Sequence, residues 1–319
     1  AQGVPSYSLS EKELVVSGDG FKYVFNRTDG QLTSMVVQDM ELLESPLRLN
    51  LWRAPLANEL DNWNASSARS SNWKEGYEYT VATEMYSAGI DRLTHQPLSF
   101  SVSETTEGVH IHIIDAELMG KGEKEKKDLY IEGVQNNGII NHYEYIINSE
   151  GTIEIRHVLK PEGKMPLWFP RIGLTLTVSD ALDQVKWYGR GPQENYPDRK
   201  TGYPTGIYAS TVQAMYEPYL MPQDYGLRTD VRWLQLTTDK GIGLQFKMNE
   251  WFNFNIYPYS TDNLTKAMYT YQLQKQKGMT LNLDYATTGV GCTARGVFGA
   301  YKAMPQEYRR TISIRPMMK

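Results

Sequence analysis

The residues of this chain that could do chemistry are a few carboxylates and histidines, and their spacing limits what they can do. Glu194 and Asp198 lie four apart in the run Trp187–Tyr208, WYGRGPQENYPDRKTGYPTGIY. Two acids suggest glycosidase chemistry, but that needs carboxyls converging across a cleft about 5 to 9.5 Å apart, normally from different strands. Crowded with Arg199 among Trp187, Tyr188, Tyr196 and Tyr203, they read better as internal hydrogen-bond partners that hold a loop in one shape. Gly189, Gly191, Pro192 and Pro197 argue against a regular helix or a central strand here. His110 and His112 share one strand face, as a metal would need. A third ligand at recognisable spacing is missing, so a solvated face is the expectation and no metal is assigned. Gly289 and Gly291 flank Val290 without the third glycine or following helix of a nucleotide fingerprint. No metalloprotease, serine-hydrolase, Walker or paired-cysteine motif occurs, and the single Cys292 excludes an internal disulfide.

The elements that would position these residues are strands. Phe21, Tyr23 and Phe25 alternate with polar or smaller residues between the turns SGDG and RTDG, and Gln31–Val37 can return as their partner. Residues 97–160 continue as strand after strand, with Tyr143–Asn148 and Thr152–Leu159 joined by a hairpin turn. His157 shares a face with Ile153 and Ile155 and is expected in the core. The charge run Gly120–Asp128 reads as a solvated hairpin tip. Gly163–Pro170 reads as a crossover within one continuous sandwich, because strand grammar resumes at Ile172. Pro218–Asp230 has the composition of a structured loop, with Arg228 and Arg232 as ion-pair partners for Asp230. In Trp251–Tyr259, Phe252, Phe254 and Ile256 form a core face, while Asn253, Asn255 and Tyr257 form a face that could bind sugar. Ser260–Lys275 is the best helix candidate, opening on three capable N-caps.

Composition narrows the classes. A chain of 319 residues with 40% hydrophobic content can bury a real core, as two ordinary domains or one large all-β domain. A net charge of −4 offers no field for nucleic acid, and no apolar run approaches the ~20 residues that span a bilayer. Twenty-two Tyr and seven Trp suit strands first and sugar stacking second. The opening AQGVPSY lacks an initiator Met or a signal peptide and reads as trimmed.

Several landmarks carry a resemblance. In order, they are LWRAPLANE (Leu51–Glu59), GPQENYPDR from Gly191, PYLMPQDYGLRTDVRW (Pro218–Trp233), GIGLQF (Gly241–Phe246) and LNLDYATTGVG (Leu281–Gly291). Together they resemble the C-terminal domain, a separate small subunit in some relatives, of lac-type β-galactosidases in glycoside hydrolase family two. The resemblance covers almost the whole chain. It implies an all-β, large antiparallel super-sandwich of the galactose mutarotase type, which the strand grammar supports independently.

The resemblance also implies a structural signature at Arg53, Glu194, Asp198, Arg199, Arg228 and Asp284. It implies a cleft-edge role for the 57–73 and 288–296 loops, with Asn58, Trp63, Cys292, Thr293 and Arg295 as candidate substrate contacts. The sequence departs from the family pattern in places. Ala57 and Glu59 stand where the family has two Asp, Tyr269 stands where a His is common, and the Trp that stacks on galactose is missing after Gly291. Arg295 is the candidate replacement contact. The expected partner is a catalytic barrel domain or large subunit carrying both catalytic Glu residues, in an enzyme that hydrolyses terminal β-D-galactosides and is a homo-oligomer. The family's Mg²⁺ and Na⁺ lie mainly outside this segment, so no cofactor is expected here; a bacterial periplasm or cytoplasm both stay open. The rival readings are a free-standing aldose 1-epimerase, which needs a converging His and Glu, and a carbohydrate-binding module.

Overall fold

A computed structural model describes residues 4–60, 85, 88–120, 137–292 and 296–319. Strands dominate, as the alternation predicts, and all the pairings between them are antiparallel. Five strands form a meander near the N-terminus: β1 (Ser6–Leu9), β2 (Glu13–Gly18), β3 (Phe21–Asn26), β4 (Gln31–Val37) and β5 (Met40–Glu41). The inward residues of β3, Phe21, Tyr23 and Phe25, are buried. Each such side chain contributes about 1.5–3 kcal/mol of transfer free energy. They pack on the second sheet: the Tyr23 hydroxyl donates to the Gly151 carbonyl at 2.7 Å, and Phe25 meets Tyr145 edge-on at 5.1 Å.

The second sheet has twelve strands among the described residues: β6 (Leu43–Asn50), β7 (Thr94–Thr105), β8 (Gly108–Leu118), β9 (Gly138–Ile147), β10 (Ile153–Glu162), β11 (Arg171–Val178), β12 (Gln184–Arg190), β13 (Thr205–Thr211), β14 (Arg228–Thr237), β15 (Gly243–Tyr257), β16 (Met279–Thr287) and β17 (Tyr308–Met317). The long β15 splits it. Gly243–Met248 pairs with β17, which leads on to β10, β9, β8 and β7, while Asn253–Tyr257 pairs with β16, which leads on to β11 and β6. The other edge of β15 pairs with β14, followed by β12 and β13.

Several local expectations need correction. β12 runs through Gly189 to Arg190 and is flanked by both β13 and β14, so a central strand does enter the loop run. Gly189 is tolerated because β14 packs closely: a Cβ there would lie 2.9 Å from the Val231 side chain and 3.0 Å from its Cα. β14 likewise begins at Arg228, inside the stretch read as loop. The helix expected over Ser260–Lys275 is only α2 (Thr261–Lys266), after the four-residue α1 (Ala57–Leu60). Ser260 caps it as predicted, accepting from the Asn263 amide at 3.0 Å. It stops because side chains capture the backbone beyond it: Gln272 accepts from the Met268 and Tyr269 amides, and Asn263 binds Gln272 and Gln274. The charge run Gly120–Asp128 lies, from residue 121 on, outside the described residues.

Candidate functional site

Three of the sequence landmarks meet at one place. Residues 51–56 leave β6 as irregular chain, and the buried Arg53 anchors them there. Its guanidinium donates to the Thr288 carbonyl at 2.6 Å, to the Gly289 carbonyl at 3.1 Å and to Glu59 at 2.7 Å. Glu59 also accepts from the Leu56 amide at 2.8 Å, so the acid retained in the landmark closes α1 onto its own lead-in. Asn58 reaches the same loop, donating to the carbonyls of Val290 (3.1 Å) and Gly291 (3.3 Å).

Asp198 grips that loop from the opposite side. Its two carboxylate oxygens accept from the amides of Val290 (2.9 Å) and Gly291 (2.7 Å), while the exposed Arg199 donates to the Gly291 carbonyl at 2.9 Å. Gly289 is required by this approach, since a Cβ there would lie 2.4 Å from the Asp198 carboxyl. Glu194 does the same for a second loop, accepting from the Gly226 amide at 2.8 Å, the Tyr196 hydroxyl at 3.2 Å and the Tyr219 hydroxyl. Arg228 donates to the carbonyls of Gly226 (2.7 Å) and Pro192 (2.8 Å) beside the Trp187 ring. Its pKa is brought down to about 10 by burial, which Glu194 opposes. Both acids of the run are thus committed to the chain's own donors, the arrangement of a buttress and not of a free acid pair.

Cys292 is exposed at the loop's end, where it bridges to Gly296. Trp63, Thr293 and Arg295 lie outside the described residues, as does most of the 57–73 loop.

Beneath these loops lies a buried charge network that the sequence flagged only through Asp284. Arg171 donates to Asp284 at 3.1 Å and meets Asp224 at 3.4 Å, with all three side chains fully buried. Asn255, Tyr257 and Asn282 complete it: Asn255 and Tyr257 donate to Asp224 at 3.0 and 3.2 Å, and Asn282 donates to Asn255 at 2.8 Å. Two carboxylates share one guanidinium. Burial pushes Asp284 up to about 6 against the pull of Arg171. The Asn/Tyr face of β15, considered for sugar binding, is therefore interior at Asn255 and Tyr257. Asp230 pairs with Arg190 and Lys200, each at 2.6 Å, instead of with its neighbours in sequence. Arg228 serves backbone carbonyls, and Arg232 lies over the Trp251 ring at 3.8 Å.

Of the five histidines, His112 and His142 are exposed, and the other three lie in distinct environments. His157 is a core residue as expected, bonded to Tyr285 (2.6 Å) and Asn141 (3.0 Å) and stacked on Tyr143; burial lowers it to about 3. Of the two histidines expected on a solvated face, His112 is exposed but His110 is buried, because Thr105 and Glu144 cover it. Glu144 on β9 supplies the third ligand-type group that spacing along β8 could not reveal. His95 faces Glu117 across the β7–β8 pair at 2.8 Å, and both line a cavity of about 730 Å³ whose lining also includes residues of β6, β11 and α2. Neither Asn58 nor Cys292 lines it.

The fold and these contacts define an all-β module whose loops are braced by Arg53, Glu194 and Asp198. Residues 17–314 match the family model described as the β-galactosidase small chain. The chain belongs to that family. It is 32% identical to a β-galactosidase of Priestia megaterium over 88% of this chain and 24% of that protein. It is 27% identical to one of Pseudoalteromonas haloplanktis over 91% of this chain and 25% of that protein. The chain thus spans about a quarter of the length of the curated relatives it matches. Among solved structures it is similar to the galactose 1-epimerase of Lactobacillus acidophilus, with a TM-score of 0.46 and 10% identity over 98% and 97% of the two chains. A putative aldose 1-epimerase of Escherichia coli gives a TM-score of 0.44 at 9% identity over 95% and 97%.

Proposed function

We propose that this chain is the C-terminal part of an enzyme that hydrolyses terminal β-D-galactosides, and that it completes the catalytic cleft without supplying catalytic carboxylates. Its family membership over nearly the whole chain, at a quarter of its relatives' length, carries the reading. The retaining reaction needs a nucleophile and an acid/base about 5–5.5 Å apart. Glu194 and Asp198 are instead bound to this chain's own amides and hydroxyls. Both catalytic groups would come from a barrel in the preceding part or in a large subunit. Against that barrel the loop of Thr288–Cys292, held by Arg53, Asn58 and Asp198, would form one rim of the cleft. The hydrogen bonds that tie this rim to Arg53, Asn58 and Asp198 support this role, because substrate positioning depends on supporting contacts that lock loop geometry.

The aldose epimerase reading gains the His95–Glu117 pair. Yet His95 has both ring nitrogens engaged, one with Glu117 and the other with the Asp29 carbonyl at 2.6 Å, so it offers no free base to a sugar hydroxyl. The deciding experiment assays a chromogenic β-galactoside with this chain alone and with the intact protein, alongside galactose mutarotation. Hydrolysis only by the intact protein is expected. Hydrolysis by the pure isolated chain would overturn the proposal, and mutarotation alone would replace it with the epimerase.

A further inference from the structure

His95 and Glu117, which line the 730 Å³ cavity, belong to a cluster that holds two carboxylates against one imidazole. His95 on β7 lies directly across from Glu117 on β8, and Asp115 precedes Glu117 by two residues, so all three share one face of the sheet. One ligand-type atom from each lies within 4.8 Å of the others. Both carboxylates are nearly buried, Asp115 at 5% and Glu117 at 4% exposure. Among the described residues, His95 is their one ion-pair partner and Asp115 has none of its own. A buried carboxylate without a cation is strongly disfavoured.

The supporting contacts orient these groups toward one point. The Asp29 carbonyl, 2.6 Å from His95 Nε2, requires the proton on that nitrogen and leaves Nδ1 directed at Glu117. A carbonyl on the far nitrogen is the usual partner of a metal-bound imidazole. The Asn141 amide donates to Asp115 Oδ1 at 2.8 Å and fixes that carboxylate in turn.

We propose that His95 Nδ1, Asp115 and Glu117 form a divalent-cation site of the zinc class, open toward the cavity. One imidazole with two carboxylates is a mixed nitrogen–oxygen set, which suits Zn²⁺ better than Mg²⁺ with its preference for oxygen and retained water. The cation takes the place of the Nδ1 proton, which leaves to solvent, and neutralises the second buried carboxylate. Because His95 and Glu117 line the cavity, a fourth position faces space that a water or a ligand oxygen can occupy. The other His/Glu group, His110 with His112 and Glu144, is less suited: Glu144 already pairs with Arg156 at 3.3 Å, and His110 Nε2 is bonded to the Thr105 hydroxyl at 2.9 Å. This proposal is independent of the β-galactosidase reading.

The test uses Co²⁺ as a coloured stand-in for Zn²⁺ in the intact protein that carries this chain. After chelator treatment, cobalt content and visible absorption are measured for wild type, Asp115→Asn and Glu117→Gln. Both substitutions keep size and hydrogen-bonding capacity. Wild type should retain one more cobalt than either variant, with an absorption band the variants lack and at least a ~10-fold loss of affinity in each. Equal cobalt content and equal spectra in all three would overturn the proposal. His95→Gln, which keeps a donor for the Asp29 carbonyl, covers misfolding of the carboxylate variants; a spectrum unchanged by it would also overturn the site. Galactoside hydrolysis, measured on the same samples, reports on the other proposal separately.

Discussion

Gly289→Ala should loosen the Thr288–Cys292 loop as much as deleting the carboxylate that holds it. The Asp198 carboxylate accepts two backbone hydrogen bonds, from Val290 and Gly291, at 2.9 and 2.7 Å. Hydrogen bonds to a charged acceptor contribute about 1.5–3 kcal/mol each, so with Asp198 only half-buried the lower end gives about 3 kcal/mol for the pair. Asp198→Ala should therefore speed amide exchange at Val290 and Gly291 by ~100-fold or more, at a factor of ten per ~1.4 kcal/mol. A Cβ on Gly289 would lie 2.4 Å from Asp198 Cγ and Oδ1, a distance that forces the carboxylate aside and breaks the same two bonds.

The two substitutions should then be strongly non-additive. In the Asp198→Ala background, Gly289→Ala should cost well under ~1 kcal/mol, giving a coupling of ~2 kcal/mol or more. Gly299→Ala is the control, since nothing lies within 4 Å of a Cβ there. Hydrogen exchange read at the 286–292 peptide, in the intact protein, makes the measurement local and independent of global unfolding. Additive effects, or unchanged exchange in Gly289→Ala, would refute the claim that Asp198 sets this loop.

Other perturbations test the framework beneath it. Arg171→Met leaves Asp224 and Asp284 buried without their cation, and should lower the unfolding free energy by about 3–5 kcal/mol in urea titration. Glu194→Gln removes the charge that binds Tyr219, Tyr196 and the Gly226 amide; proteolysis should then begin in the 216–226 segment, with a local cost of about 1.5–3 kcal/mol. His157 has a folded pKa lowered to about 3 by burial, against about 6.5 unfolded, so between those values the unfolded state binds the extra proton. Its contribution is complete above pH ~6.5 and is lost as pH falls toward 3, at up to ~1.4 kcal/mol per unit. In His157→Gln the acid dependence of the unfolding midpoint should be shallower, and an unchanged slope would contradict a neutral buried imidazole.

Periodicity along the chain made the faces of strands legible, whereas partners across strands were not. Phe21, Tyr23 and Phe25, or Ile153, Ile155 and His157, declare a buried face because side chains alternate every two residues. Pairing register carries no such local mark. His95 meets Glu117 only through the β7–β8 register, which shifts at a bulge between Pro97 and Ser99, so counting outward from the turn misplaces the pair. Arg171 and Asp284, flagged singly or not at all, become a pair because β11 and β16 lie side by side. Asp230 shows the converse: two arginines sit near it in sequence, yet its cations are Arg190, from the adjacent strand β12, and Lys200.

The loop landmarks follow a different logic. Their residue types are tied to distant backbone: Arg53 and Asp198 both serve a loop more than ninety residues on, by binding carbonyls and amides that no sequence pattern displays. Each of these side chains satisfies main-chain groups that irregular structure would otherwise leave without partners. That is why the acids Glu194 and Asp198 can look catalytic in sequence while their oxygens are taken up by the chain's own donors in the fold. A loop without ladder hydrogen bonds needs charged side chains to hold it, and those charged side chains are also the ones that chemistry would use. The distinguishing feature is what the oxygens face, and here they face the chain's own N–H and O–H groups.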